Sequence, residues 1–171
     1  MVQKSSYFKT LEVFFTEPTN LHFVKEISRK IKIAPTSIKK NIQLLLKENL
    51  IIKKESKPFD GYVANRNNQK FIFLKKVYNL FSLEEIKDFV QKNISPKLFI
   101  VFGSYSLGED IENSDIDLFI LSKIKKLDLT KFEKNLKREI NLIILKDFKD
   151  LEKPLQNKVH NGILLSGGYD E

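Results

Sequence analysis

The feature that most narrows what this chain can fold into is one segment, LFIVFGSYSLGEDIENSDIDLFIL, at residues 98–121. Its five leading apolar residues, Leu98 to Phe102, are far too few to cross a bilayer and suit a buried strand. That strand stops at Gly103-Ser104. A residue without a side chain and a hydroxyl then stand at the end of a sheet, where backbone amides can approach a phosphate. Ten residues separate Ser104 from Asp115, and the next strand opens there as Asp115-Ile116-Asp117. The two-residue period of a strand sends both carboxylates to one face and Ile116 and Leu118 to the other. Same-face neighbours stand roughly 6–7 Å apart at strand rise. Carboxylates so placed can hold two cations about 3.5–4 Å apart, the geometry of in-line displacement at phosphorus. Mg2+ suits it, because that ion takes one or two carboxylates together with substrate phosphates and water. An exposed sheet edge is the plainer account of Asp-x-Asp, but the buried Ile116, Leu118, Phe119 and Ile120 leave it weak.

Gly-Ser followed by Asp-x-Asp resembles the signature of the minimal nucleotidyltransferases of the DNA polymerase beta superfamily. The likeness is strong over Lys97 to Leu121 and looser to Gly167, including the late KVHNGILLSG. With the linker NQKFIFLKKVYNL, the first half resembles the archaeal and bacterial subgroup in which a winged helix precedes this domain. The resemblance implies that Gly103, Ser104 and nearby amides hold the terminal phosphates of a nucleoside triphosphate, and that Asp115 and Asp117 bind two Mg2+ ions. It also implies that the acceptor hydroxyl can belong to a partner protein, as in toxin and antitoxin pairs where the toxin is modified on a tyrosine. One departure stands out. The family carries a third carboxylate on a neighbouring strand, and here that strand, Glu139 to Leu145, presents Asn141 instead. An amide oxygen can ligate a metal but cannot take the nucleophile's proton. Glu139, two residues earlier on the same face, either replaces the missing acid or is an ordinary strand-edge acid paired with Lys137 or Arg138. If it does not replace it, the alternative is a transcriptional regulator whose second half only binds nucleotide or a partner.

Charge divides the chain in two. Residues 1–80 carry 16 Lys+Arg against 6 Asp+Glu, a net of +10, whereas residues 81–171 carry 14 against 16, a net of −2. A basic first half beside a nearly neutral second one points to a polyanion partner for the first alone. A chain with no Cys excludes disulfides, zinc-thiolate sites and thiol catalysis, which fits the cytoplasm. No apolar run reaches membrane-spanning length, and MVQKSSYFKTLEVFF lacks a signal-peptide core, so no membrane partner is expected.

The first half reads as three helices and a wing. Leu11, Phe14 and Phe15 share one side of a helix closed by Pro18. Asn20 is the expected cap of a second, with Phe23, Val24 and Ile27 inward. Pro35 opens a third, in which Ile38, Ile42 and Leu45 repeat at core spacing and Asn49 provides a left-handed stop. Leu50 to Lys54 and Tyr62 to Asn65, joined by the turn KPFDG, form a hairpin. The third helix then directs Ser37, Lys39, Lys40, Asn41, Gln43 and Lys47 outward, the chemistry that phosphates and base edges of double-stranded DNA require. Lys53, Lys54, Lys57 and Arg66 make the wing basic. A solvated Lys-rich face and a protein-binding winged helix are the competing accounts. Residues 68–81 read as a linker helix, and Ser82 to Glu85 as a capping box for the next. His22, placed in a helix, and His160 support no metal site without Cys nearby. Lys123, Lys125 and Lys126 read as a solvated loop that could also touch a triphosphate.

The expected fold is therefore α+β: a winged helix-turn-helix with its linker helix at residues 1–80, then a small mixed-sheet α/β nucleotidyltransferase domain at 81–171. A homodimer is expected, as winged helices commonly pair.

Overall fold

A computed structural model describes residues 5–123 and 126–168 and divides the chain into two compact units, Met1–Leu74 and Lys75–Glu171. In the first, the Ser5 hydroxyl caps α1 (Ser6–Thr16) by accepting from Phe8 N at 3.2 Å. Leu11, Phe14 and Phe15 on its inner face are buried, as are Ile27 of α2 (Val24–Ile31) and Ile38, Ile42 and Leu45 of α3 (Pro35–Lys47). Pro35 stands at the start of α3, where its missing N–H costs nothing. Asn49 at φ 56° turns the chain into β1 (Ile51–Lys54), which pairs antiparallel with β2 (Gly61–Ala64). This is the helix-helix-helix-wing order of a winged helix-turn-helix.

Three local expectations need correction. The cap of α2 is Phe23 and not Asn20, and the first-turn Glu26 carboxylate accepts from Phe23 N at 3.2 Å. His22 precedes that helix: its backbone bridges Tyr62 in the wing, and its ring packs edge-on to Phe14 with centroids 5.2 Å apart. Asn41 does not face outward. Three residues after Ile38 and four before Leu45, it falls on the core face, 5% exposed, and its Nδ2 donates to Thr10 Oγ1 at 3.0 Å. It is a polar tie between α3 and α1.

The next helix, α4 (Gln69–Ser82), runs from the first unit into the second. Ser82 is not the cap of the helix that follows. It closes α4, its hydroxyl bonding Asn79 O at 2.6 Å and the Tyr105 phenol at 2.7 Å, while α5 (Glu84–Ile94) starts from Leu83. There follow β3 (Leu98–Phe102), α6 (Gly103–Leu107), β4 (Ile116–Leu121), α7 (Thr130–Leu136), β5 (Ile140–Leu145), α8 (Lys153–His160) and β6 (Ile163–Gly167). The sheet order is β5-β4-β3-β6, with β4 and β5 parallel and the other pairs antiparallel. Alternation on the central strands serves two cores. Phe99, Val101, Ile116, Leu118 and Ile120 pack with Ile86, Val90 and Phe132. Leu98, Ile100, Phe102 and Phe119 pack on the other face with Leu151 and Val159.

The loop from α6 to β4 is held by charge. Asp110 is fully buried, and its Oδ2 meets Lys75 Nζ at 2.6 Å and Arg138 Nη2 at 2.9 Å. Its Oδ1 accepts from Asn79 Nδ2 at 2.7 Å. Arg138 Nη1 also donates to the carbonyls of Ile111, at 2.6 Å, and Ser114, at 2.8 Å. One anion and one guanidinium thereby fix both ends of the segment that delivers Asp115. Removing one member of a buried ion cluster leaves uncompensated charge, which costs about 3–5 kcal/mol. Asp110→Ala should lose stability of that order in urea unfolding. Lys131→Ala, at an exposed position, should stay within about 0.5 kcal/mol of the parent in the same measurement.

Candidate active site

Gly103 begins the site. Its φ of +71° belongs to the left-handed region, and a Cβ built there would strike Asp117 Oδ2. Glycine is thus needed twice, for the turn from β3 into α6 and for the close approach of a carboxylate. Ser104 follows at the head of α6, half-buried, while Ser106 is buried and donates to Gly103 O at 2.8 Å. Asp115 immediately precedes β4 and Asp117 is its second residue, in register with Phe102 on one side and Asn141 on the other.

Asn141 is the pivot of the carboxylate pair. Its Nδ2 donates to Asp115 Oδ2 at 3.1 Å and to Asp117 Oδ1 at 3.2 Å. Two like charges would otherwise drive each other apart. The structure therefore brings together Gly103, Ser104, Asp115, Asp117 and Asn141, and it treats Glu139 differently. Glu139 is exposed, just ahead of β5, and its carbonyl accepts from Ile116 N at 2.9 Å. Among the described residues no hydrogen bond or ion pair joins its carboxylate to Asp115 or Asp117. Nor is it a partner of Arg138, whose guanidinium is engaged by Asp110 and the loop carbonyls.

A cavity of about 810 Å³ opens beside the pair, lined by Gly103, Ser104, Glu109, Asp117 and Asn141 and closed on its far side by Leu155, Lys158 and Asn161 of α8 and its end. Sequence reasoning misses Lys158 and Asn161. Their one signal is the three-residue spacing of polar groups across KVHN, beside Leu155 and Val159, which face the sheet. Asp117 and Glu109 outweigh Lys158 here, so the cavity would repel a bare triphosphate. Asp115, Asp117 and the amide oxygen of Asn141 would be the residues to hold a Mg2+ ion, which would offset that charge, since two carboxylates, an amide oxygen and water are a donor set Mg2+ accepts. Burial pushes the Tyr105 phenol up, so it remains a neutral hydrogen-bond partner behind the loop.

Residues 84–168 match the family model described as polymerase beta, nucleotidyltransferase. The match lies within the second unit. A curated relative, the large ribosomal subunit protein uL5c of Oedogonium cardiacum, is 30% identical over 138 residues, 73% of this chain and 74% of that one. The two likenesses point in different directions. A solved structure, that of a mutant of ZitR from Lactococcus lactis, is 15% identical with a TM-score of 0.39, covering 55% of this chain and 65% of that chain, so under two thirds of it.

In the first unit, Lys39, Lys40, Gln43 and Lys47 are exposed along α3 and Ser37 is half-buried. Lys53, Lys54, Lys57 and Arg66 are exposed in and beyond the wing, Lys53 being paired with Asp60 at 2.6 Å. Glu17, His22 and Glu26 bring their ligand atoms within 4.8 Å, yet each is otherwise engaged. His22 Nε2 lies 2.9 Å from Glu17 O, Lys30 pairs with the Glu17 carboxylate, and Glu26 holds Phe23 N. The group is a clamp between helices. The His160 ring lies tilted against Phe148, with centroids 4.6 Å apart. Lys123 and Lys126 are exposed, and Lys125 lies outside the described residues. Among the described residues no helix is long and apolar enough to cross a membrane.

Gly103→Ala should cost about 1–2 kcal/mol from the left-handed backbone alone. The Cβ should also push Asp117 off Asn141, so the variant is expected to melt earlier and to lose Mg2+-dependent nucleotide binding in calorimetry. Undiminished binding would separate Gly103 from the site.

Proposed function

We propose that the second unit transfers a nucleoside monophosphate from a nucleoside triphosphate to a hydroxyl acceptor, and that the first unit docks the protein on duplex DNA. The observation that carries the transfer reading is the Asp115 and Asp117 pair held on Asn141 beside the cavity that Ser104 also lines. In this reading the acceptor oxygen bonds to the α-phosphorus, the bond from that phosphorus to the bridging oxygen breaks, and pyrophosphate leaves. Mg2+, when bound, neutralises the phosphate oxygens and the leaving group. The chain's own part is positional and electrostatic. Ser104 and the amides of α6 orient the terminal phosphates, Lys158 meets their charge from α8, and Asp115 with Asp117 supplies the anionic ligands. Asn141 contributes its amide oxygen once its side chain rotates, and the hydroxyl proton passes to Glu139 or water.

Asn141 is also the observation that favours a second reading, a DNA-bound regulator that holds nucleotide without turning it over. The two are told apart by incubation with each α-labelled triphosphate and Mg2+, with candidate partner proteins as acceptors. Transfer is expected, slow in the wild type, absent in Asp115→Asn with Asp117→Asn, and reduced in Glu139→Gln with nucleotide affinity kept. No label transferred from any of the four triphosphates, with binding intact, selects the regulator. In that case Asn141→Asp is the substitution expected to restore some turnover.

The DNA reading rests on the net charge of the first half and the exposed Lys row of α3. Binding should weaken steeply with salt as counterions are released, and Lys39→Ala with Lys40→Ala should weaken it on every sequence. Gln43→Ala should change preference among sequences instead. Asn41→Ala, buried on Thr10, is expected to lower stability and leave preference alone. A gel shift insensitive to the Lys pair would refute the α3 docking.

A further inference from the structure

Most exposed apolar side chains here stand singly, as Leu44 and Phe59 do, and need no partner. One set is different. Phe73, Val77 and Phe81 are 64%, 49% and 69% exposed and follow one another at four-residue steps along the single helix α4. The opposite face of that helix is the buried one, carrying Phe71, Lys75 and Asn79. Two large aromatic rings and a valine in a row on a solvated helix face carry a hydrophobic cost that a covering partner removes.

We infer that a second copy of this chain covers the stripe, with the two α4 helices antiparallel across a two-fold axis at Val77. The sequence order is what selects this occupant. Phe73-x3-Val77-x3-Phe81 reads the same in both directions, so a two-fold axis at Val77 sets each Phe73 against the other copy's Phe81 and Val77 against itself. An isologous interface needs this self-complementarity, and a partner of unrelated sequence would not. Charge agrees with it. The same axis puts Lys70, at the start of the helix, opposite Glu84, just beyond its end. Leu83 between α4 and α5 keeps right-handed helical dihedrals, φ −89° and ψ −2°, so the chain reaches Glu84 without reversing. Within one copy Lys70 pairs with Glu48 at 2.6 Å and Glu84 with Lys87 at 2.9 Å, both exposed pairs of little worth, so exchanging or sharing them costs little. A parallel pairing would set like charges together at each end. The seam is short, near or below the lower end of specific interfaces at about 1,200 Å². The dimer should therefore dissociate on dilution into the micromolar range. This inference stands independently of nucleotidyl transfer, since it uses no residue of that site.

Sedimentation from micromolar to hundreds of micromolar protein should show a monomer–dimer equilibrium. Val77→Glu should abolish the dimer while leaving circular dichroism and melting unchanged, because the position is half exposed and Glu is a good helix former. Lys70→Glu should weaken it several-fold, and Lys70→Glu with Glu84→Lys should restore it. The chain has no Cys, so a single Val77→Cys gives a clean cross-link: mild oxidation should yield a covalent dimer at protein concentrations where Phe59→Cys yields little. A protein monomeric throughout, a dimer indifferent to Val77→Glu, or a monomer in which Val77→Glu weakens only DNA or vesicle binding would each overturn the proposal.

Discussion

Asp110 is the residue on which the second unit's arrangement depends. A carboxylate with no solvent exposure is tolerable only if its charge is met, and Lys75, Arg138 and Asn79 meet it from two separate stretches of chain. Such a cluster adds little net stability, because desolvating three charges offsets most of their attraction. What it supplies is position. Lys75 and Asn79 come from α4, Arg138 comes from the turn before β5, and Asp110 sits midway between Gly103-Ser104 and Asp115. The ten-residue connection between the two halves of the motif is therefore anchored at its centre, and Arg138 ties its second half through Ile111 and Ser114. Asp115 enters β4 from a fixed point.

The consequence at the site follows from register. β4 and β5 run parallel with Asp117 beside Asn141, so the residue that occupies position 141 must sit against the carboxylate pair whatever its chemistry. An acid there would add a third negative charge that only cations could offset. An amide instead donates to both carboxylates and so offsets part of their mutual repulsion. The chain thus carries a site that needs cations less than one with a third acid would.

Much of this is legible in the sequence where periodicity and spacing speak. The strand Leu98 to Phe102, the helix from Pro35, the linker helix and the opening of β4 next to Asp115 all follow from runs of apolar residues, a Pro or a Gly. What escapes such rules is decided by partners far along the chain. Helical spacing from Ile38 and Leu45 already puts Asn41 on the core face, but that a polar side chain can be satisfied there depends on Thr10, 31 positions earlier. Ser82 and Glu85 satisfy the spacing of a capping box, but Tyr105 and Asn79 claim the hydroxyl first. Lys75 and Asp110 carry no local mark at all: in a chain with 30 Lys+Arg, one that is 1% exposed cannot be told from its solvated neighbours by type or spacing. Local rules place the elements, and long-range polar contacts select which polar residues are structural.

The two halves of the site problem are then separable. In the proposed reading, holding the phosphates falls to Gly103, Ser104 and Lys158, which line the cavity with Asn141 and do not depend on the basicity of residue 141. Moving the hydroxyl proton is another matter, because Asn141 has no basic lone pair to offer. In the proposed reading Glu139, exposed just ahead of β5, would bring its carboxylate to a docked acceptor, with an extra methylene for reach. A base that is recruited only when an acceptor is docked would make turnover depend on the acceptor far more than on the nucleotide, which is the behaviour expected of an enzyme that modifies one partner and spares water.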